Sequence, residues 1–334
     1  MDLAERCRLH RQPVRTAVKR ALLVGVDRYD NFNALAGCVN DVQAIHPLLA
    51  SNEDGSLNFS CQSRTTLDGP ITRDDLLRNF DALLAGGADV ALAYFAGHGY
   101  PRDSDVVLVT TDGTEATPGV ALSEVLAKVS SSPVREVLLI LDCCFAGAAA
   151  SVPQLGSPNA SLKSGVSILA ASRGDQTAAE TAAGRGLFST HLCAALDGGA
   201  ADVLGRTTVA GLYAYLDESF GAWDQRPAFK VNVERLHELR ACAPAVPLQE
   251  LRRLPEFFPL ATDVFPLDAS YEPTAEPKDA AHEATFAILQ HYRDAKLLEA
   301  VGAEHMYYAA IDSSACRLTP LGRHYHHLAA AGRF

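Results

Sequence analysis

The sequence predicts an α/β fold, a parallel sheet covered by helices on both faces, followed by a smaller C-terminal unit. Two observations carry that prediction. Between Ala21 and Phe220, short continuous apolar runs alternate with segments whose apolar residues recur at helical spacing. Strands that are apolar throughout, rather than at every second residue, are strands buried on both faces. A proline-dense stretch then separates this region from a last block with short periodic elements of its own. The 334 residues, 48% apolar and 21% charged, suit a folded globular protein of one large domain and one small one.

Each element has its own signal. Residues 1–19 hold Arg and His but no apolar run of signal-peptide length, and form an N-terminal extension. No later stretch reaches the roughly 18 uninterrupted apolar residues of a membrane span, so a cytoplasmic protein is expected. Ala21–Val26 is the first strand candidate. Thr72 opens a helix, because its hydroxyl can accept from the open N–H groups of a first turn, and Leu76, Leu77, Phe80, Leu83 and Leu84 then share one face. Ala88–Phe95, Asp105–Thr110, Glu136–Leu141 and Gly165–Ala171 are the other strands, with the small, Ser- and Pro-containing segment 148–164 as an exposed loop. Leu187–Leu196 and Val209–Phe220 read as amphipathic helices, which completes a domain over 20–235.

From 236 to 280, Pro244, Pro247, Pro255, Pro259, Pro266, Pro273 and Pro277 leave no room for a long helix or central strand, so the stretch reads as a linker. Leu254, Phe257, Phe258, Leu260, Val264 and Phe265 are too many apolar residues for a free tether, and are expected to pack on the main domain. Residues 281–334 then give a helix over Ala281–Val301, a strand over Met306–Ile311, a turn at Asp312–Ser314, a strand over Cys316–Leu318 and a closing helix over Pro320–Ala330.

A net charge of −11 opposes a large electrostatic footprint on nucleic acid or anionic lipid and suits a basic substrate. The eight cysteines form no CxxC pair or other zinc-ligand spacing, and neither a metal nor another cofactor is expected.

Chemistry is concentrated at two strand ends. In open α/β sheets reactive residues gather beyond the carboxyl ends of the strands. In YFAGHG (Tyr94–Gly99) an apolar strand runs into His98 between two glycines, which let another backbone approach the imidazole and let the Gly99 N–H point into a cleft. In LLILDCCFAG (Leu138–Gly147) a second strand ends in Asp142, Cys143 and Cys144. An imidazole beside a thiol lowers its pKa from about 8.5 and can later protonate a leaving amine, which fits His98 acting on Cys144. The backbone N–H groups of Gly99 and Cys144 suit an oxyanion hole. Either feature alone is as compatible with a structural histidine or a packed thiol; together, with His98 46 residues before Cys144, they approach the spacing of about 50 between the caspase histidine and nucleophile.

These blocks resemble the caspase-like peptidases, and within them the metacaspases and their bacterial relatives. The likeness spans about Ala21–Phe229 and rests on LLVGVDRY (Leu22–Tyr29), GCVND (Gly37–Asp41), YFAGHG, LLILDCCFAG, ILAASRGDQTAAE (Ile168–Glu180), GLFSTHL (Gly186–Leu192) and WDQRP (Trp223–Pro227). It implies a six-stranded, mostly parallel sheet and selects Cys144 over Cys143 as nucleophile. It also implies a pocket for Arg or Lys before the scissile bond, formed by Cys38, Asp41, Ala96 and Asp142, a role favoured for Asp41 over that of an ordinary helix-start acid. Phe145, Ala146 and Ala96 depart from the family's His-Ser after the nucleophile and Ser before the histidine. Only Asp112 and Glu115 follow the histidine strand where calcium-dependent metacaspases carry an acidic cluster, so no calcium dependence is expected. Lys163, Arg173 and Arg185 are the basic sites for self-cleavage.

The last block resembles the end of a winged-helix module of the kind that recruits partner proteins in bacterial defence or signalling effectors. Its sparse Arg and Lys argue for a protein partner over DNA, and His324, His326 and His327 read as a solvated helix face rather than a metal site. Besides a basic-specific cysteine endopeptidase, two alternatives stand: a caspase-like scaffold without turnover, and a DNA-binding regulator.

Overall fold

The computed structural model describes residues 17–102, 105–143, 162–171, 184–220, 227–233, 237–274 and 276–334. The chain divides into two compact units, Met1–Ala200 with Thr207–Cys242, and Ala201–Arg206 with Ala243–Phe334. In chain order up to Ala241 the elements are β1 (Lys19–Gly25), α1 (Cys38–Ala50), β2 (Ser60–Thr65), α2 (Arg73–Leu84), β3 (Val90–Gly97), β4 (Gly99–Arg102), β5 (Asp105–Val109), β6 (Gly119–Ala121), α3 (Leu122–Ser131), β7 (Glu136–Cys143), β8 (Val166–Ala170), α4 (Leu187–Ala194), β9 (Arg206–Thr208), α5 (Val209–Ser219), β10 (Ala228–Asn232) and β11 (Glu238–Ala241).

Among the described residues the first unit is built on a six-stranded sheet of order β10-β8-β7-β3-β1-β2. Every pairing in it is parallel except that of the edge strand β10 with β8. The mixed α/β class and the mostly parallel sheet that the sequence implied are therefore what the chain adopts. Every residue of β3 and β7 is buried, which is why both strands have continuous apolar centres, Val90–Phe95 and Val137–Leu141. Alternation sends Leu22, Val24, Ala91, Ala93, Phe95, Val137 and Leu139 to one face, where Leu76, Phe80, Leu83 and Leu84 of α2 and Val125 and Val129 of α3 meet them. Ala21, Leu23, Val90, Leu92, Tyr94, Leu138 and Ile140 go to the other, against Val42, Ile45 and Leu49 of α1, Phe188 and Leu192 of α4, and Leu212 and Leu216 of α5.

Helix starts follow two kinds of cap. Thr72 caps α2 as expected: its hydroxyl accepts from Asp75 N–H at 3.2 Å, while the Asp75 carboxylate accepts from the Thr72 N–H at 3.2 Å, a reciprocal capping box. The start of α1 is instead capped from a distance. The Asp27 carboxylate, just after β1, accepts from Cys38 N–H at 2.9 Å and Val39 N–H at 3.2 Å. The same helix end presses on β1, where a Cβ on Gly25 would lie 2.6 Å from the Cys38 carbonyl oxygen. No local pattern announces such a cap, and the sequence reading touched this helix only through Asp41 as a helix-start acid, without giving its extent.

One strand expectation needs correction. Asp105–Thr110 was expected in the parallel sheet, but β5 pairs with β4 and β6 in a separate three-stranded antiparallel sheet. Its valines and Leu108 are buried there, so apolarity alone did not decide which sheet it joins. The edge strands β2 and β10 escaped notice for the opposite reason. SCQSRT and AFKVN are half exposed and therefore carry too little apolar signal.

The second unit adds α6 (Leu248–Leu251), α7 (Leu254–Phe257), β12 (Val264–Pro266), α8 (Ala280–Asp294), β13 (Leu298–Val301), α9 (Met306–Ile311), β14 (Ala315–Leu318) and α10 (Pro320–Ala330). An antiparallel sheet of order β12-β14-β13 lies within it. The proline-dense stretch is not a separate linker packed on the main domain: Val246, Leu251, Leu254, Phe258 and Leu267 are buried in one cluster with Phe286, Leu289, Tyr292 and Cys316. Two further expectations change. The helix ends at Asp294 rather than Val301, with Lys296 at φ 59° and Leu297 N–H donating to Tyr292 O at 2.8 Å, after which the chain is extended. Met306–Ile311 is helical, not a strand; Met306, Ala309 and Ala310 are its buried positions, a helical spacing hidden in a segment only six residues long. Nor is the histidine cluster of α10 wholly solvated. His326 is buried, and its Nε2 lies 2.7 Å from Phe258 O.

Candidate active site

The register of the sheet centre pairs the residues that directly precede the two predicted catalytic residues in sequence. Ala96 of β3 pairs with Asp142 of β7, and Gly97 pairs with Cys143. His98 follows Gly97, and Cys144 follows Cys143. Cys144 itself lies outside the described residues, as do Arg173 and most of the ILAASRGDQTAAE and WDQRP blocks. Cys143 is 1% exposed, a core residue on the face of the sheet covered by α2 and α3.

His98 is held on several sides. Its N–H donates to Tyr29 Oη at 2.8 Å, and Tyr29 in turn donates to Val26 O at 2.9 Å. The Tyr29 ring lies 4.8 Å from the imidazole, and Phe32 lies 6.3 Å from it. Gly97 is needed for this arrangement, because a Cβ there would stand 2.8 Å from Tyr29 Oη. Burial pushes the Tyr29 phenol far above its ordinary range, so it remains a neutral hydroxyl. The His98 Nε2 faces Asn33 O at 2.8 Å. A carbonyl only accepts, so Nε2 carries hydrogen and the lone pair of the neutral ring sits on Nδ1. The adjacent Gly99 pairs with Leu108 while Val109 N–H takes the His98 carbonyl at 3.0 Å. In an antiparallel ladder this leaves the Gly99 N–H pointing away from β5.

The four residues expected to form a pocket are gathered into one buried acidic cluster. Asp41 is 3% and Asp142 5% exposed, Ala96 is 1% exposed, and Cys38 forms the start of α1. Asp142 Oδ2 accepts from Tyr94 Oη at 2.9 Å. Asp41 Oδ1 accepts from Gly186 N–H at 3.1 Å and from the Ser189 hydroxyl. Both carboxylates act on the same neighbours. The Cys38 thiol is pushed well above its usual range by burial and then by Asp27, Asp142 and Asp41. The Tyr94 phenol is pushed up by burial, Asp142, Asp41 and Cys38. Burial first, and the negative charge around it second, therefore keep thiol and phenol protonated at neutral pH. Asp41 stands in the first turn of α1, as its reading as a helix-start acid expected, while the cap of that helix comes from Asp27.

The remaining candidates lie elsewhere. Lys163 Nζ donates to Ser132 O at 2.5 Å, on the approach to β8. Arg185 donates to Cys193 Sγ at 3.8 Å, and its neighbours Gly184 and Gly186 are tied to Asn40 and Asp41. Asp112 accepts from Arg73 N–H and the Thr110 hydroxyl. Tyr29, Asn33, Tyr94 and Ser189 were not singled out from the sequence. Tyr94 and Ser189 stand inside the quoted YFAGHG and GLFSTHL blocks, but only the register and the α4 packing reveal whom they face.

A mostly parallel sheet whose two central strands pair Ala96 with Asp142 and Gly97 with Cys143, flanked by helices on both faces, is the architecture of a caspase-like fold. The family model described as Caspase domain matches residues 18–231, well over half of the chain, and the chain belongs to that family. A stretch of 131 residues, 38% of the chain, is 25% identical to a paracaspase of Dictyostelium discoideum and spans 31% of it, so this chain covers about a third of that relative's length. The crystal structure of protein GSU0716 from Geobacter sulfurreducens is similar at a TM-score of 0.48 and 15% identity, over 65% of this chain and 94% of that one. Among the described residues no helix is long and apolar enough to cross a membrane.

Proposed function

We propose that the protein is a cysteine endopeptidase that cleaves after Arg or Lys, with Cys144 as nucleophile and His98 as its base. The observation that supports this reading is the pairing of Gly97 with Cys143, the residues that directly precede His98 and Cys144 in sequence. His98 Nδ1 takes the proton of the Cys144 thiol, and the thiolate attacks the scissile carbonyl. The Gly99 and Cys144 N–H groups stabilise the resulting oxyanion. The imidazolium then protonates the leaving amine, which leaves an acyl-enzyme; His98 next takes a proton from water, whose attack releases the acid and frees the thiol. Asn33 O holds the ring in the tautomer this sequence requires.

Asp41 and Asp142, with Cys38 and Ala96, receive the guanidinium or ammonium of the residue before the scissile bond, where desolvated carboxylates bind a cation through charge-assisted hydrogen bonds. The net charge of −11 agrees with a basic substrate. Lys163, Arg173 and Arg185 are self-cleavage sites in this reading, and residues 281–334 recruit a protein partner, in keeping with a cytoplasmic effector of bacterial defence or signalling. Fluorogenic peptides ending in Arg, Lys or Asp test the activity: Arg and Lys peptides are cut by the wild type and by neither Cys144→Ala nor His98→Ala. Failure to cut any of them, with or without calcium, favours the scaffold alternative.

A further inference from the structure

Each pocket carboxylate has one oxygen committed to a hydroxyl from a different wall. On Asp142 it is Oδ2, taken by Tyr94 of β3, and on Asp41 it is Oδ1, taken by Ser189 of α4 together with the Gly186 N–H. Tyr94 is fully buried and Ser189 is 0% exposed, so water competes for neither bond. Neither hydroxyl is positioned by chance. Tyr94 stands two residues before Ala96 on the same face of β3, and Ser189 lies in the first turn of α4, where it also donates to Gly186 O at 2.9 Å. Burial, and then the charges of Asp142 and Asp41, push the Tyr94 phenol well above its ordinary range, so at neutral pH its O–H is a donor.

We infer that Tyr94 and Ser189 are positioning residues that set a preference for Arg over Lys by fixing the planes of Asp142 and Asp41. This rests on the proposed basic-specific pocket. A carboxylate pinned through one oxygen cannot rotate freely about its Cβ–Cγ bond, so the direction in which it meets a cation is preset. A guanidinium is planar and offers donors in a fixed fork, and it gains from acceptors whose planes are already set. An ammonium is a compact charge with rotatable donors and tolerates carboxylates in many orientations. Loosening either carboxylate, by removing the Tyr94 or the Ser189 hydroxyl, therefore penalises Arg more than Lys.

The test compares wild type with Tyr94→Phe, Ser189→Ala and Ser189→Thr, using matched Arg- and Lys-ended peptides and, independently of turnover, calorimetric binding of acetyl-arginine amide and acetyl-lysine amide. Tyr94→Phe and Ser189→Ala are expected to raise KM for Arg about tenfold, the effect of losing one hydrogen bond to a charged group, with Lys changed less than threefold and kcat kept. Ser189→Thr restores the wild-type ratio. Thermal unfolding checks that each variant is folded, and a purely structural role lowers both substrates in parallel. An unchanged Arg-to-Lys ratio in both Tyr94→Phe and Ser189→Ala overturns the inference while leaving the pocket intact. A wild type that binds neither amide removes the basic pocket and the inference with it.

Discussion

Replacing Asp142 by Asn isolates one charge in the acidic cluster with little change in shape. Asn is the same size, and its amide oxygen can still accept from Tyr94 Oη, which now lies 2.9 Å from Oδ2. What disappears is the negative charge, and the amide presents N–H donors to an incoming cation. A hydrogen bond to a charged group contributes about 1.5–3 kcal/mol, so kcat/KM for Arg-ended peptides should fall about 10- to 150-fold, chiefly through KM. A second readout needs no turnover. Burial, Asp27, Asp142 and Asp41 hold the Cys38 thiol well above its ordinary range, so its folded pKa exceeds its unfolded one. The stability this contributes is complete below about pH 8.5 and is lost as pH rises through the folded pKa. Removing Asp142 lowers that folded pKa. Alkylation of Cys38 by iodoacetamide, followed by peptide mapping along an alkaline series, should therefore begin at lower pH in Asp142→Asn. Unchanged Arg cleavage together with unchanged Cys38 reactivity would refute the placing of Asp142 beside both.

Three other outcomes follow from the packing. Tyr29→Phe removes the acceptor of the His98 N–H and the donor to Val26 O, and should lower kcat roughly tenfold with KM nearly constant; a steady-state comparison in which only KM moves would contradict the role of Tyr29. Thr72→Ala breaks the capping box and should cost about 1 kcal/mol, lowering Tm by about 2–4 °C. Thr72 also holds the Asp75 carboxyl below its usual range, so that contribution is present above about pH 4 and vanishes as pH falls through the depressed folded value; calorimetry at pH 7 and pH 3 should show the mutant and wild type converging, and a constant gap would count against the cap. Phe258→Ala, in the proline-dense stretch, should destabilise the second unit by about 3–5 kcal/mol, because Phe258 is fully buried; a loss under about 0.5 kcal/mol in urea unfolding would return the stretch to a tether.

What the sequence disclosed, and what it withheld, follows from where each signal resides. β1, β3, β7 and β8 were legible because burial on both faces demands unbroken apolar runs, and α2 was legible because its cap is local. α1 was legible only as a helix start at Asp41 and not in extent, since Asp27 caps it from eleven residues upstream, and β2 and β10 were not legible, since edges need little apolar surface. His98, Asp41 and Asp142 stood out through their motifs, whereas Tyr29, Tyr94 and Ser189 act through contacts made 69, 48 and 148 residues away in sequence. In the second unit, prolines suggested a linker, yet proline forbids only long regular elements, and short ones with buried Leu251, Leu254 and Phe258 still build a core.

The most direct test of the central claim is covalent capture of the nucleophile. An Arg-ended peptide bearing a thiol-reactive group is mixed with the folded protein, and the modified residue is located by peptide mass spectrometry. Labelling confined to Cys144, slowed by His98→Ala and by Asp142→Asn, is the expected result. Labelling that falls on Cys38 or Cys193 instead, or proceeds at the same rate without His98, would contradict a thiol activated at the end of β7 by the imidazole at the end of β3.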